Sequence, residues 1–220
     1  MTDNWKREAR AETVRIEALA AALPTDAEGR RAAMAEAASA YHAAIMAGDE
    51  PQRRAADQRA LVAMVALNDG ELFGFAVRGK GPDVMLNELA AQPGTVPAWG
   101  QRGEFVLTVD AMRVRISYDP HLGQAMPAHF GLHVVDPDKP FISDTGFWSR
   151  FINGFVAGQT VDEAARALIQ QALAASGRKM IDAQFRERRW AEPVPAWIEA
   201  ESTQAPAFYE DRGGQVAFAF

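Results

Sequence analysis

Along the first 68 residues, apolar positions recur at three- and four-residue spacing, the period of a helix. Three helices are predicted. The first, capped by Thr2 or Asp3, runs to about Ala22 and ends at Leu23-Pro24. The second opens on Thr25-Asp26-Ala27-Glu28, a capping-box pattern, runs to about Ala47 and stops at Gly48. The third opens on Asp49-Glu50-Pro51, carries Leu61, Val62, Val65 and Ala66 at helical spacing, and ends at Asn68-Asp69-Gly70. Stretches such as "AEAASAYHAAIMA" are dense in Ala, which lets helices approach closely in an antiparallel bundle or arm.

Beyond Gly70 the pattern changes. Leu72–Val77 reads as a short strand, "RGKGP" breaks the chain, and Asp83 caps a short helix through Ala91. After the Pro/Gly-rich loop "QPGTVPAWGQRG", residues Glu104–Val109 and Met112–Tyr118 alternate apolar and polar. They read as a hairpin on Asp110-Ala111, a poorer tight turn than Asn-Gly. His129–Val135 is a third strand, completing an antiparallel meander. In "FISDTGFWSRF", Ser143, Asp144 or Thr145 is expected to cap a short helix through Phe151, with Trp148 and Phe151 packing three residues apart. Thr160-Val161-Asp162-Glu163 is a second capping box. It opens a helix with Val161, Ala164, Ala165, Leu168, Ile169, Ala172 and Leu173 on one face, ending at Gly177. Lys179–Arg189 is expected to continue as a helix, followed by an irregular tail in which "QVAFAF" adds a last strand.

The expected fold is α+β: an N-terminal helical hairpin or bundle, then a small antiparallel sheet of three to four strands packed with C-terminal helices. The sharpest change in composition divides a helical arm, 1–68, from an α+β body, 69–220, which can also form one continuous domain.

Composition narrows the function classes. The 220 residues are 48% apolar and 24% charged, ordinary for a globular chain able to bury its own core. With no cysteine, disulfides, thiolate nucleophiles and cysteine-ligated metals are excluded. The charged N-terminus lacks a signal-peptide pattern and no run approaches the ~18 apolar residues of a membrane span, so a cytoplasmic location is expected. A net charge of −6 does not favour bulk attraction to nucleic acid.

Candidate chemistry is sparse. Asp144-Thr145-Gly146 matches the catalytic triplet of aspartic proteases, but such enzymes pair two loops and only one is present. His129 and His133 share a strand face about 13 Å apart, too far for one metal. A metal or acid–base site would need Asp119, His121, His129 and His133 together. "RGKGP" resembles a phosphate cradle but fits no nucleotide motif, and Asp83 would oppose an anion there. Arg178, Lys179, Arg186, Arg188 and Arg189, against two acids, form the one local basic patch, a possible nucleic-acid contact or docking surface. His42 reads as packing. No serine lies in a nucleophile elbow, and no cofactor is called for.

The words "QPGTVPAWGQRGEF", "DKPFISDTGFWSRF" and "GQTVDEAARALI", spanning residues 92–173, resemble a set of accessory proteins carried by conjugative plasmids and genomic islands. That resemblance implies a bacterial cytoplasmic protein serving anti-restriction, anti-defence or transfer regulation, and carries no catalytic residues with it.

Two readings follow. The first is a non-enzymatic binding or regulatory protein acting through protein contacts, with Trp99, Phe147, Trp148, Arg186, Arg188 and Arg189 as contact residues and Trp190 and Trp197 as further aromatics. The alternative is a hydrolase using the Asp119/His121/His129/His133 region with Asp144 nearby. A homodimer through the Ala-rich helices is expected in either case.

Overall fold

A computed structural model describes residues 4–72 and 77–203, with two short strands at 209–210 and 216–217. Three helices come first: α1 (Asn4–Ala21), α2 (Ala27–Ala47) and α3 (Glu50–Leu67). The expected caps at Thr2 or Asp3 and the strand at Leu72–Val77 fall largely outside the described residues. Asp26, not Thr25, caps α2, its carboxylate accepting from the Gly29 N–H at 2.7 Å. Asp49 caps α3 through the Gln52 N–H at 3.0 Å, with Pro51 in the first turn. Only Gly48 and Asp49 separate α2 from α3, so the two lie antiparallel.

A short helix, α4 (Gly81–Glu88), follows. Asp83 does not cap it. It sits inside the first turn, accepts from the Gly79 N–H at 2.8 Å and binds Arg102 at 2.7 Å, so the "RGKGP" amide that could face an anion is already taken.

The sheet has four antiparallel strands in the order β1 (Gly103–Val109), β2 (Met112–Asp119), β3 (Ala128–Val134) and β4 (Phe147–Ile152). The fourth strand corrects the expected helix at 144–151. "FWSRFI" is β-branched and aromatic and pairs Leu132 with Trp148 and His129 with Phe151. Trp148 and Phe151, three apart, therefore face opposite sides of the sheet instead of one helix face. The Asp-Thr-Gly triplet is the turn into this strand. Gly146 has φ 69°, and an added Cβ would stand 2.9 Å from Val134 Cγ1. Ser143 Oγ donates to the Phe147 carbonyl at 2.8 Å, and the Asp144 carbonyl accepts from the Asp182 N–H at 2.9 Å.

The C-terminal part holds α5 (Val161–Ser176), α6 (Ala183–Ala191) and α7 (Ala196–Thr203). α5 opens on the predicted capping box, with Glu163 accepting from the Thr160 N–H at 2.9 Å. α6 starts four residues later than expected, because Lys179 is held extended by an antiparallel bridge to Phe141. α7 lies where an irregular tail was expected. The predicted last strand survives as β6 (Val216–Ala217), paired with β5 (Tyr209–Glu210); the rest of that segment lies outside the described residues.

One buried cluster joins Met34, Tyr41 and Ile45 of α2, Ala60 and Met64 of α3, Phe105, Ile116, Phe130 and Leu132 of the sheet, and Val161, Ala165 and Ile169 of α5. A smaller one seats Ile16 and Ala20 of α1 on Val62, Val65 and Ala66 of α3. The helical head and the sheet thus share a core, and no described helix is long and apolar enough to cross a membrane.

Candidate functional site

The alternation of strand residues divides the sheet into two faces. Phe105, Leu107, Val114, Ile116, Phe130 and Leu132 point into the core. The opposite face carries Arg113, Arg115, Ser117, Asp119, His129, His133, Phe147 and Phe151. Three of the four candidate metal ligands therefore do share this face.

They do not converge. Among the described residues no three His, Asp or Glu side chains form a metal-binding group. Asp119 is engaged by Arg102 at 2.9 Å and accepts from the His121 N–H at 2.9 Å. His121 Nδ1 lies 2.6 Å from the Pro127 carbonyl, and its ring stacks on Phe151 with centroids 6.2 Å apart. His129 leans on the same Phe151 at 4.6 Å, and burial lowers its pKa. His133 sits four residues further along the strand, against Phe147 at 4.8 Å. Burial first, then Arg115 and Arg189, push the His133 pKa down to about 4. A row of imidazoles against phenyl rings is a packing surface, and Asp144 stands apart from it in the β3–β4 turn.

The contact aromatics divide. Trp99 is corrected: its Pro/Gly loop folds inward and leaves it 1% exposed, its Nε1–H donating to the Gln159 carbonyl at 2.7 Å. Trp148 packs against the core with Arg150 over its ring. Phe147 is 37% exposed, while Phe151 and Trp190 are more open at 52% and 57%.

The basic run at 178–189 is not one face. Arg178 reaches back to the Asp110 carbonyl at 2.8 Å, and Arg189 pairs with Glu192 at 2.8 Å. Arg186 lies over the Trp190 ring at 5.5 Å, and Arg188 is 3.9 Å from Glu192.

The helical head has a different electrostatic layout. Arg15, Arg31, Arg53 and Arg54 are held in ion pairs with Glu12, Glu88 and Glu50. Arg10, Arg59, Arg78 and Lys80 are exposed and form no ion pair among the described residues. Between α1, α2 and α3 runs an open apolar groove lined by Leu19, Leu23, Ala33, Ala55 and Val62, with Arg59 and Glu36 also on its lining. The sequence offers Arg78 and Lys80 only as part of "RGKGP", while Arg10 and Arg59 are masked there by acids two residues away; the signal that separates them is which acids lie one helical turn away.

The class is thus an α+β protein with a three-helix head built onto one face of a four-stranded antiparallel sheet. Residues 15–88 match the family described as the KlcB N-terminal DNA-binding domain, and residues 102–203 match that described as the KlcB third domain. The chain is 39% identical over 185 residues to Protein KlcB of Escherichia coli, an alignment covering 84% of this chain and 40% of that protein. A second Escherichia coli Protein KlcB is 37% identical over 182 residues, covering 82% of this chain and 45% of the relative. The matched region is therefore less than half the length of the curated relatives. These matches agree with the likeness to plasmid accessory proteins read from residues 92–173. No solved structure matches.

Proposed function

We propose that this chain is a KlcB-type plasmid accessory protein that regulates by binding DNA through its helical head, with the sheet-bearing body as a second, partner-facing module. The observation that carries the reading is the match of residues 15–88 to a DNA-binding domain, over a segment that folds as the helical head. Residues 15–88 hold eight Lys and Arg against eleven Asp and Glu. Net charge therefore cannot drive association, and contact must run through exposed cations outside the ion pairs, Arg59, Arg78 and Lys80 in this segment and Arg10 just before it. This moves the nucleic-acid contact from residues 178–189 to the head. The family assignment, the division into head and body, a cytoplasmic site of action and a role in anti-restriction, anti-defence or transfer regulation all belong to the same proposal.

A homodimer through the head completes it, since DNA-binding helices commonly act as symmetric pairs and the groove at Leu19 and Val62 offers apolar surface. The test is fluorescence anisotropy of the full chain with labelled duplex DNA across a salt series. Salt-sensitive binding is expected. Absence of binding at low salt overturns the DNA reading, and light scattering that shows a monomer at every concentration removes the dimer.

A further inference from the structure

Arg115 and His133 are direct cross-strand neighbours on the outer face of β2 and β3. The segment from Arg189 to Ile198, the end of α6 and the start of α7, closes over them and leaves a cavity of about 110 Å³. Its remaining walls are apolar, chiefly Trp190, Val194 and Ile198. Of the charges here, Arg189 and Glu192 neutralise each other at 2.8 Å. Arg115 is half-buried and has no hydrogen bond or ion pair among the described residues. His133 Nδ1 is buried without a partner, while Nε2 lies 3.3 Å from Ser117 Oγ. Ser117 Oγ lies 3.4 Å from the Gly131 carbonyl as well as 3.3 Å from Nε2; when its one proton turns to Nε2, Nδ1 carries the imidazole proton and is a free donor, the tautomer an anion in the cavity would select.

The buried His133 Nδ1 lacks a partner, and beside it the half-buried Arg115 guanidinium faces the cavity with no carboxylate of its own. We propose that this cavity is a carboxylate-binding site, with Arg115 as the bidentate anchor, His133 as the second donor and the apolar wall covering the ligand's stem. A planar monoanion matches one guanidinium fork; a phosphate dianion would call for more donors than the cavity holds. The carboxylate can come from a small free acid or from an acidic side chain of a partner protein. The inference is independent of DNA binding by the head.

The test uses the full chain and the fluorescence of Trp190, which lines the cavity, titrated separately with propionate, a short Glu-containing peptide and inorganic phosphate. Other tryptophans contribute signal, so the His133 ring resonances are followed by NMR in the same titrations. Saturable binding of propionate or of the peptide is expected, and whichever binds more tightly identifies the source. Arg115→Gln should weaken it at least about tenfold, the usual cost of losing a charge-assisted bond. Arg115→Lys, which keeps the charge and loses the fork, should weaken it less, and serves should the first variant fail to fold. Three results overturn the proposal: no saturable carboxylate binding, phosphate binding as tight as carboxylate, or unchanged affinity in folded variants.

Discussion

The Tyr118 hydroxyl donates to the main-chain carbonyl of Trp99 at 2.9 Å, and the two rings meet edge to face at 5.8 Å. Trp99 also takes Phe130 and Phe155 against its ring, and its N–H donates to His42 Nδ1 at 3.2 Å. The loop before β1 is thus pinned between α2 and the sheet, and Trp99 is the pin. Trp99→Ala should cost about 3–5 kcal/mol. Trp99→Phe should cost less, about 1–3 kcal/mol, mainly from the Gln159 carbonyl left without its donor. Urea unfolding measures both; a Trp99→Ala change below about 1 kcal/mol would contradict the placement.

The β1–β2 turn holds both Asp110 (φ 46°) and Ala111 (φ 62°) in left-handed backbone. Two-residue hairpins need that conformation and favour glycine in it. Ala111→Gly should relieve about 1 kcal/mol and raise the melting temperature by about 2–4 °C. An unchanged or lower melting temperature counts against the turn geometry. The Arg178 bond to the Asp110 carbonyl shows how the native chain holds a turn its own residues disfavour.

How far the sequence could be read depended on whether a signal was local. Capping at Thr160, the stop at Gly48 and the alternation of β1 and β2 are decided by neighbours a few residues away, and these elements stand as read. Residues 144–151 were misread because a Ser-Asp-Thr cluster signals a helix cap and a strand turn equally well. What decides is Val134 across the turn, which leaves room only for Gly146. Trp99 was misread because a Pro/Gly loop usually lies outside, and nothing local reveals that Tyr118 and Gln159 receive it. The candidate site was the least legible. Arg115 and His133 stand eighteen positions apart, and only the register of β2 on β3 makes them neighbours.

His133 should make the fold acid-sensitive in a defined window. It faces Arg115 and Ser117 of β2, His129 of β3, and Arg189 and Glu192 of the covering segment. Its folded pKa is about 4, against 6.5 in an unperturbed histidine. Above pH 6.5 the ring is neutral in both folded and unfolded chains, and nothing is lost. As pH falls from 6.5 to about 4 the unfolded chain takes up the proton first, so stability drops. Below about 4 both forms are protonated and the loss levels off. The partly exposed ring limits the effect to about 2 kcal/mol. Urea midpoints should fall across this window in the native chain and flatten in His133→Gln. Parallel curves for the two proteins would show that His133 is not the group responsible. The carboxylates of Asp83 and Asp136, lowered by a Gly79 amide bond and by Arg113 respectively, lose their contribution only at more acid pH.

If the helical head contacts DNA, its free cations should carry the salt dependence. Each Lys or Arg that neutralises a phosphate releases counterion, so the slope of log affinity against log salt counts the contacts. Arg59 lines the groove between the helices, while Arg78 and Lys80 precede α4. All three are exposed, and none anchors the core. Replacing Arg59, Arg78 and Lys80 together by Gln should leave the fold intact and weaken binding uniformly across DNA sequences. The magnitude of the slope should fall by about 0.9 for each contact removed. Arg188→Gln on α6, exposed and outside the head, should leave affinity and slope unchanged. The opposite result, a slope that follows Arg188 and ignores the head, would return the nucleic-acid contact to residues 178–189.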